Sequence, residues 1–223
     1  MSDSVVPLWE QPALRDAAGQ TLRPGGFNLT DRAAEAVGIL PGVRVLDVGC
    51  GLGATVGRLR SRFGAEAYGV ESSMAQIQRA TNGLPLISAQ GDALPFGDAS
   101  FNAVFCECVL SLFDSPESGL KEFYRVLEPG GFLALSDLEA GERRKSEFMS
   151  CAEGAVPLAQ TREMVEANGF SVVLVEDHSR HLKDLAAKLI FAGADGAQGC
   201  ACRGRTLGYY LMIAQKKGAT DAG

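Results

Sequence analysis

The sequence predicts an α/β protein with a mainly parallel sheet and helices on both faces of that sheet. The first observation is that short apolar segments typical of buried strands alternate with amphipathic segments of about ten residues typical of helices. The second is that the segments end at turn signals such as Gly64, Gly169 and Pro129-Gly130-Gly131. The third is size, because 223 residues that are 46% hydrophobic can bury one sizeable core. Strands joined through helices run parallel, which gives a doubly wound sheet.

The elements follow in order along the chain. After the turn at Pro24-Gly25-Gly26, a helix is predicted over residues 31–37, with Thr30 as its N-cap and Gly38 at its end. Strands are predicted over residues 43–48, 65–70, 86–89, 101–106, 132–136, 171–175 and 207–214. Helices are predicted over residues 54–63, 74–81, 117–126, 161–168 and 181–191. The glycine-rich stretch at residues 193–204 is expected to be a mobile loop.

Composition restricts the partners of the chain. The net charge is −6 and the pI is near 5.0, whereas nucleic-acid binding depends largely on Lys and Arg that neutralise phosphates. No apolar run reaches the ~18 residues of a membrane helix, and the N-terminus does not resemble a secretory signal. We therefore expect a cytoplasmic protein with no nucleic-acid or membrane partner. In that compartment the six cysteines should be thiols.

A glycine-rich turn follows the first strand, in the stretch VRVLDVGCGLGAT. Gly49, Gly51 and Gly53 allow positive φ and close approach of a ligand, and the following helix points its N-terminal amides at that ligand. The spacing is G-x-G-x-G, which differs from the G-x-G-x-x-G of dinucleotide sites. Asp47 would also repel a pyrophosphate, but it suits a cationic or zwitterionic ligand. The turn therefore favours an adenosyl ligand that carries an amino acid.

Two further acids follow the next two strands. Glu71 stands 24 residues after Asp47, where a carboxylate can accept hydrogen bonds from both hydroxyls of a ribose. Asp92 can accept from an adenine amino group, while the backbone N–H of Ala93 reaches a ring nitrogen. Ligands of parallel sheets bind at the carboxyl ends of the strands, which is where these residues fall.

The segments DVGCGLG, VESS, GDALPF, SFNAVFCECVL and LEPGGFLALSDL, in this order and spacing, resemble the class I S-adenosylmethionine-dependent methyltransferases. The resemblance implies seven strands in the order 3-2-1-4-5-7-6, with the last strand antiparallel. It also implies S-adenosylmethionine as the cofactor and Glu107 as a residue that faces the sulfonium and the substrate. The cofactor-binding residues that it implies are Asp47, Gly49, Cys50, Gly51, Gly53, Glu71, Ser72, Asp92, Ala93 and Glu107.

The expected reaction is an in-line transfer of a methyl group to a small molecule, which requires alignment more than a general base. We expect one domain over residues 1–223, with a lead-in or cap at 1–42, a cofactor-binding half at 43–140 and a substrate-side half at 141–223. No metal is predicted, and the catalytic residues and oligomeric state stay open. The candidate substrate residues are Phe27, Asn28, Cys108, Cys151, His178 and His181.

Three alternatives remain at this stage. The segment CAEGAVPLAQ is similar to a C-x-G-G-A-L segment of arsenite methyltransferases, although Glu153 replaces a glycine. A metalloid or thiol acceptor held by Cys151, Cys200 and Cys202 is therefore one alternative, because thiolates select soft acceptors. From other classes, the chain could be a dinucleotide-dependent oxidoreductase, or a module that binds the cofactor without chemistry.

Overall fold

The structure is a computed structural model that describes residues 8–81, 83–141, 151–191 and 207–218. Seven strands lie within these ranges: β1 (Arg44–Val48), β2 (Glu66–Glu71), β3 (Leu86–Ser88), β4 (Phe101–Glu107), β5 (Leu127–Ala140), β6 (Phe170–Asp177) and β7 (Leu207–Lys216). The helices are α1 (Pro12–Ala18), α2 (Gly26–Ala36), α3 (Ala54–Phe63), α4 (Met74–Arg79), α5 (Pro116–Val126), α6 (Cys151–Gly154), α7 (Leu158–Ala167) and α8 (Ser179–Phe191). Short 3₁₀ turns occur at Leu8–Glu10, Gly19–Thr21 and Leu110–Leu112.

The strands form one sheet in the order β3-β2-β1-β4-β5-β7-β6. The pairs among β1 to β5 are parallel, and β7 runs antiparallel to both β5 and β6. The predicted fold class and strand order are therefore confirmed. This topology brings the carboxyl ends of β1, β2 and β4 to one edge of the sheet.

The central strands β1, β4 and β7 are buried on both faces, which explains why they read as nearly continuous apolar runs. Alternate residues of each strand enter two different cores, as Val45 and Leu46 do in β1. Helices α2 and α3 cover one face, and α5 and α7 cover the other. Tyr209 and Tyr210 follow the same rule in β7 and are both buried.

The lead-in differs from the prediction in its helices. Helix α2 begins at Gly26 behind an N-cap at Gly25, whose φ of +79° glycine adopts readily. Thr30 is therefore a buried residue inside α2 and not an N-cap, so that prediction is wrong. Helix α1 was not predicted, and it packs on α8 through Leu14, Leu185 and Leu189.

Other boundaries moved by a few residues at most, except in β5. There the strand starts at Leu127 and takes in Pro129-Gly130-Gly131 through an irregularity in its register with β4. The predicted loop at residues 193–204 lies outside the described residues. Among the described helices, none has the length and apolarity to cross a membrane.

Candidate functional site

A cavity of about 330 Å³ opens at the carboxyl ends of β1, β2 and β4. It is lined by the glycine turn after β1 and by residues that follow β2, β3 and β4. Trp9, Leu14 and Leu22 of the lead-in also line it. Of the residues predicted to bind the cofactor, those that line the cavity are Asp47, Gly49, Cys50, Gly51, Glu71, Ser72, Asp92 and Glu107.

The three glycines of the turn have different surroundings, although all have positive φ. A Cβ on Gly49 would lie 2.5 Å from the methyl carbons of Val109, and one on Gly53 would lie 2.8 Å from Leu84 Cδ1. A Cβ on Gly51 would meet only Leu22 Cδ1, at 3.8 Å. The chain itself therefore packs against Gly49 and Gly53, and Gly51 is the position of the three where the backbone is open to a ligand.

Glu71 ends β2 beside the glycine turn. Its Oε2 accepts a hydrogen bond from the Gly51 N–H at 2.9 Å, and its Oε1 accepts one from the Ser73 N–H at 2.7 Å. A carboxylate has about four acceptor sites, so Glu71 retains capacity for ligand hydroxyls.

The third strand contributes only one of its two predicted residues to the cavity. Asp92 is exposed and lies at the cavity wall. Ala93 is absent from the wall, and its N–H donates to the Gln90 carbonyl at 3.2 Å. The N–H that was expected to reach an adenine nitrogen is therefore engaged in a turn.

A buried charge network occupies the other end of the cavity. Nη2 of Arg23, from the lead-in, donates to Glu107 Oε2 and to the Thr30 hydroxyl, and it lies 3.2 Å from Thr55 Oγ1. The Thr55 hydroxyl donates to Glu107 Oε2 at 2.7 Å, and the Thr30 hydroxyl lies 3.3 Å from Oε1. Glu107 was expected to face the sulfonium, and here its carboxylate holds an arginine of the lead-in.

Asp47 lies beside this network. Burial raises the pKa of its carboxyl well above the usual range, and the negative charges of Glu107 and Glu71 raise it further, while Arg23 lowers it. A cationic group bound near Asp47 would favour the ionised form of its carboxyl. The site therefore favours a ligand with a positive charge at this end.

Arg23 is a site residue that the sequence did not reveal. Burial acts to lower its pKa, but the charge and hydrogen bond of Glu107, with Tyr209 and Asp47, outweigh burial and raise it. The arginine lies just before the Pro24-Gly25-Gly26 turn, and its partner Glu107 is 84 residues away in sequence. The turn could have drawn attention to it, but no local spacing predicts so distant a contact.

Backbone strain also concentrates at the cavity. The described residues include three with positive φ that are not glycine, and two of them, Leu22 at +56° and Cys108 at +63°, line it. Such conformations cost energy and persist where the surroundings hold them, often at functional sites. Cys108 is held by its N–H, which donates to the Ser136 carbonyl at 2.6 Å.

Four of the predicted substrate residues do not line the cavity: Phe27, Asn28, His178 and His181. The guanidinium of Arg58 lies over the Phe27 ring at 5.2 Å, and Asn28 is exposed. The rings of His178, just before α8, and His181, within α8, stack with centroids 5.5 Å apart. His178 Nε2 lies 3.1 Å from a carboxylate oxygen of Glu176, away from the cavity wall.

The described cysteines differ in burial. Burial raises the pKa of both the Cys50 and the Cys106 thiols, so these two stay protonated. The Cys50 sulfur also packs against Gly69. Cys108 lines the cavity and is half-buried. Cys151 begins α6, which packs on the 3₁₀ turn after β4, and Cys200 and Cys202 lie outside the described residues.

A smaller cavity of about 140 Å³ lies between β5, α7 and the 3₁₀ turn at Leu110–Leu112. Asp137 on its wall is 2% exposed and accepts hydrogen bonds from the Ser111 N–H, the Ser111 hydroxyl and the Leu138 N–H. Burial raises the pKa of Asp137 to about 6, and these hydrogen bonds act in the opposite direction. Asp137 therefore holds the turn that follows β4 against β5.

The fold is shared with solved structures. One is a phosphoethanolamine N-methyltransferase 2 of Haemonchus contortus in complex with S-adenosyl-L-methionine (TM-score 0.75, 20% identity, 92% of this chain and 56% of that one). Another is the [4+2]-cyclase SpnF (TM-score 0.72, 24% identity, 86% of this chain and 81% of that one). The sheet order and these likenesses define the Rossmann-like fold of the class I methyltransferases.

Sequence comparison agrees with that class. A family model described as a methyltransferase domain matches residues 46–135. The O-methyltransferase cnsE of Penicillium expansum is 31% identical over 60% of this chain and 50% of its own length. The 27-O-demethylrifamycin SV methyltransferase of Amycolatopsis mediterranei is 29% identical over 75% of this chain and 68% of its own length. The chain is therefore similar to methyltransferases in sequence, most specifically over residues 46–135, and it spans 50–61% of the length of the first curated relatives that it matches.

Proposed function

We propose that the chain transfers a methyl group from S-adenosylmethionine to a small organic molecule. The observation that carries this proposal is the cavity, in which an open glycine, a strand-end glutamate and a buried aspartate that favours a cation lie together. Its volume of about 330 Å³ is at the lower end of the range of small-molecule sites.

The residues present fit the proposed cofactor. The Gly51 backbone is open where a side chain would otherwise stand, and the pKa of Asp47 is raised in a way that a ligand ammonium would reverse. We infer that Asp47 binds the amino group, Glu71 the ribose hydroxyls and Asp92 the adenine amino group. Bound there, S-adenosylmethionine would supply an electrophilic methyl group on its sulfonium.

The chain's own contribution would be alignment and exclusion of water, because displacement at a methyl group depends on an in-line arrangement. Trp9, Leu14 and Leu22 of the lead-in line the cavity and give it apolar wall surface. Glu107 is committed to Arg23, Thr30 and Thr55, so we do not give it the role of a general base. Acceptors that react without losing a proton in the same step, such as a phenolate or a free amine, suit this arrangement.

A small organic acceptor is supported by the named relatives, which include O-methyltransferases and a rifamycin methyltransferase. The acidic composition of this chain also suits such an acceptor better than nucleic acid. A metalloid or thiol acceptor stays a prediction, for which Cys108 at the cavity wall is the supporting observation. The single-domain division and the cytoplasmic location stay predictions as well.

The test is titration calorimetry with S-adenosylmethionine, S-adenosylhomocysteine and NADH. We expect micromolar binding of the two adenosyl compounds and none of NADH. Binding of NADH alone would favour an oxidoreductase instead. Formation of S-adenosylhomocysteine over a panel of phenols, amines, thiols and arsenite then identifies the acceptor, and binding without turnover on any of them would favour a cofactor-binding module.

The variant Glu71→Ala sharpens this test. It should weaken binding of S-adenosylhomocysteine by ~1–3 kcal/mol, because two ribose hydroxyls lose their acceptor. Glu66→Ala is the matched control, since Glu66 is an exposed glutamate at the opposite end of the same strand. Equal affinities of the two variants would contradict the ribose role of Glu71.

A further inference from the structure

Arg23 differs from every other charged residue at the cavity wall. Among the described residues that line the cavity, it is the one with a cationic side chain, and the acids there are Asp47, Glu71, Asp92, Glu107 and Asp114. A negatively charged group that enters the cavity therefore has one cation with which to pair.

The hydrogen bonds of Arg23 are incomplete. All of its side-chain bonds described above leave from a single nitrogen, Nη2. Its Nε and Nη1 are buried and have no hydrogen-bond partner within the described part of the chain. The side chain is 3% exposed, so bulk solvent does not reach these groups. Buried guanidinium donors without acceptors are costly, and such a group in a native site calls for a missing partner.

The position of Arg23 restricts that partner to one end of the cavity. Its neighbours are Thr55 in the first turn of α3, Glu107 at the end of β4 and the nearby charge of Asp47. Glu71 and Asp92, which we connect with the ribose and the adenine, follow other strands. Under the proposed function, the amino-acid moiety of the cofactor lies at the Arg23 end, and its carboxylate is the anion available there.

We propose that Arg23, positioned by Glu107, Thr30 and Thr55, binds the carboxylate of the amino-acid moiety of S-adenosylmethionine. This inference rests on the proposed function. The planar guanidinium presents donors on two edges, so it can hold Glu107 on one edge and a ligand carboxylate on the other. Because Nε and Nη1 are enclosed, the side chain must turn toward the cavity when the ligand binds. Arg23 would thereby join the lead-in to the ligand.

The experiment compares two ligands that differ only in this carboxylate. S-adenosylhomocysteine carries it, and S-adenosyl-3-thiopropylamine, the decarboxylated analogue, does not. By calorimetry, the wild-type protein should prefer S-adenosylhomocysteine by about tenfold to a hundredfold, the range of a hydrogen bond to a charged group. Arg23→Gln should remove most of that preference and leave the affinity for the analogue within about threefold.

Arg58→Gln is the matched control. Arg58 pairs with Asp31, so it links α3 to α2 as the Arg23 network does, but it lies away from the cavity wall. This variant should retain the preference for the carboxylate. Arg23→Lys keeps a charge without the planar fork and should retain an intermediate preference.

Each outcome bears on the proposal. Equal binding of the two ligands by the wild-type protein would overturn it without any variant, which covers the case that Arg23→Gln does not fold. A folded Arg23→Gln protein that keeps the preference, or that loses affinity for both ligands equally, would also overturn it and leave a structural role for Arg23. If the wild-type protein binds neither ligand, the proposed function itself fails.

Discussion

The two ends of the main cavity present glutamates that are equally buried but held in different ways. Glu71 and Glu107 are each 9% exposed. Glu71 accepts from backbone N–H groups of Gly51 and Ser73, whereas Glu107 accepts from Arg23 and two threonine hydroxyls. We refer to these as the Glu71 end and the Arg23 end of the cavity.

The difference lies in what remains when the glutamate is removed. At the Glu71 end, two neutral amides lose an acceptor, and a ligand or water can replace it. At the Arg23 end, a buried guanidinium loses its counter-charge, and the lead-in loses its tie to the sheet. We therefore expect substitutions at the Glu71 end to weaken ligand binding with little effect on the stability of the fold. Substitutions at the Arg23 end should affect both ligand binding and stability.

Glu107→Leu tests this contrast most strongly. It should lower the free energy of unfolding by about 3–5 kcal/mol, because it leaves Arg23 buried without a counter-charge. Glu71→Leu should lower it by only about 1 kcal/mol, the range of lost neutral hydrogen bonds. Urea unfolding, followed by circular dichroism, measures both.

The double variant Arg23→Leu/Glu107→Leu is the control for this prediction. Replacement of both ions by apolar side chains should recover a large part of the loss, because no uncompensated charge remains. A double variant whose loss of unfolding free energy equals the sum of the losses in Arg23→Leu and Glu107→Leu alone would contradict the pairing. Equal losses in Glu107→Leu and Glu71→Leu would contradict the contrast between the two ends.

Asp137 shows the effect of burial without a charged partner. It is buried as fully as Arg23, but like Glu71 it is held by neutral hydrogen-bond donors. Burial raises its pKa to about 6 in the folded protein from an ordinary value of 3.8, so the native state binds the proton more tightly than the unfolded state. Its contribution to stability is fully present below pH ~4 and is lost as the pH rises through about 6, in total about 3 kcal/mol.

Asp137→Asn isolates this contribution, since the variant cannot titrate at that position. The free energy of unfolding of the wild-type protein, measured in urea from pH 4 to 7, should fall relative to that of the variant as the pH rises. Asp98→Asn removes a carboxylate whose side chain is 80% exposed and should leave the wild-type profile unchanged. Parallel profiles for the wild type and Asp137→Asn would show that burial does not control this carboxyl group.

The same contrast explains what the sequence could predict. The strands and α3 were predictable because burial on both faces and glycine at helix ends are local signals; α3 begins at Ala54 and ends at Phe63, as expected. The acids at strand ends were predictable because parallel strands bring their carboxyl ends together. The network around Arg23 was not, because it joins residues from the lead-in, α2, α3 and β4 that no spacing connects.

The lead-in also shows why the predicted substrate residues missed the cavity. Gly25, not Thr30, caps α2, so the helix begins earlier than its polar residues indicate. Phe27 then lies against Arg58 and Asn28 is exposed. Thr30, which resembles a capping residue in the sequence, instead takes part in the buried network through its hydroxyl.

Gly49 and Gly51 extend the contrast to the turn between the two ends. Gly49→Ala should lower the free energy of unfolding by about 2 kcal/mol, because positive φ is unfavourable for alanine and the new Cβ would lie 2.5 Å from Val109. Gly51→Ala carries the φ cost alone, about 1 kcal/mol, because the nearest atom lies at 3.8 Å. Urea unfolding of the two variants measures this difference.

The order of the two variants should reverse for ligand binding. Gly51→Ala places a methyl group in the cavity and should weaken the binding of S-adenosylhomocysteine more than Gly49→Ala does. If Gly49→Ala weakened ligand binding more than Gly51→Ala, the ligand would approach the backbone at Gly49, and Val109 would have to move aside when the ligand binds.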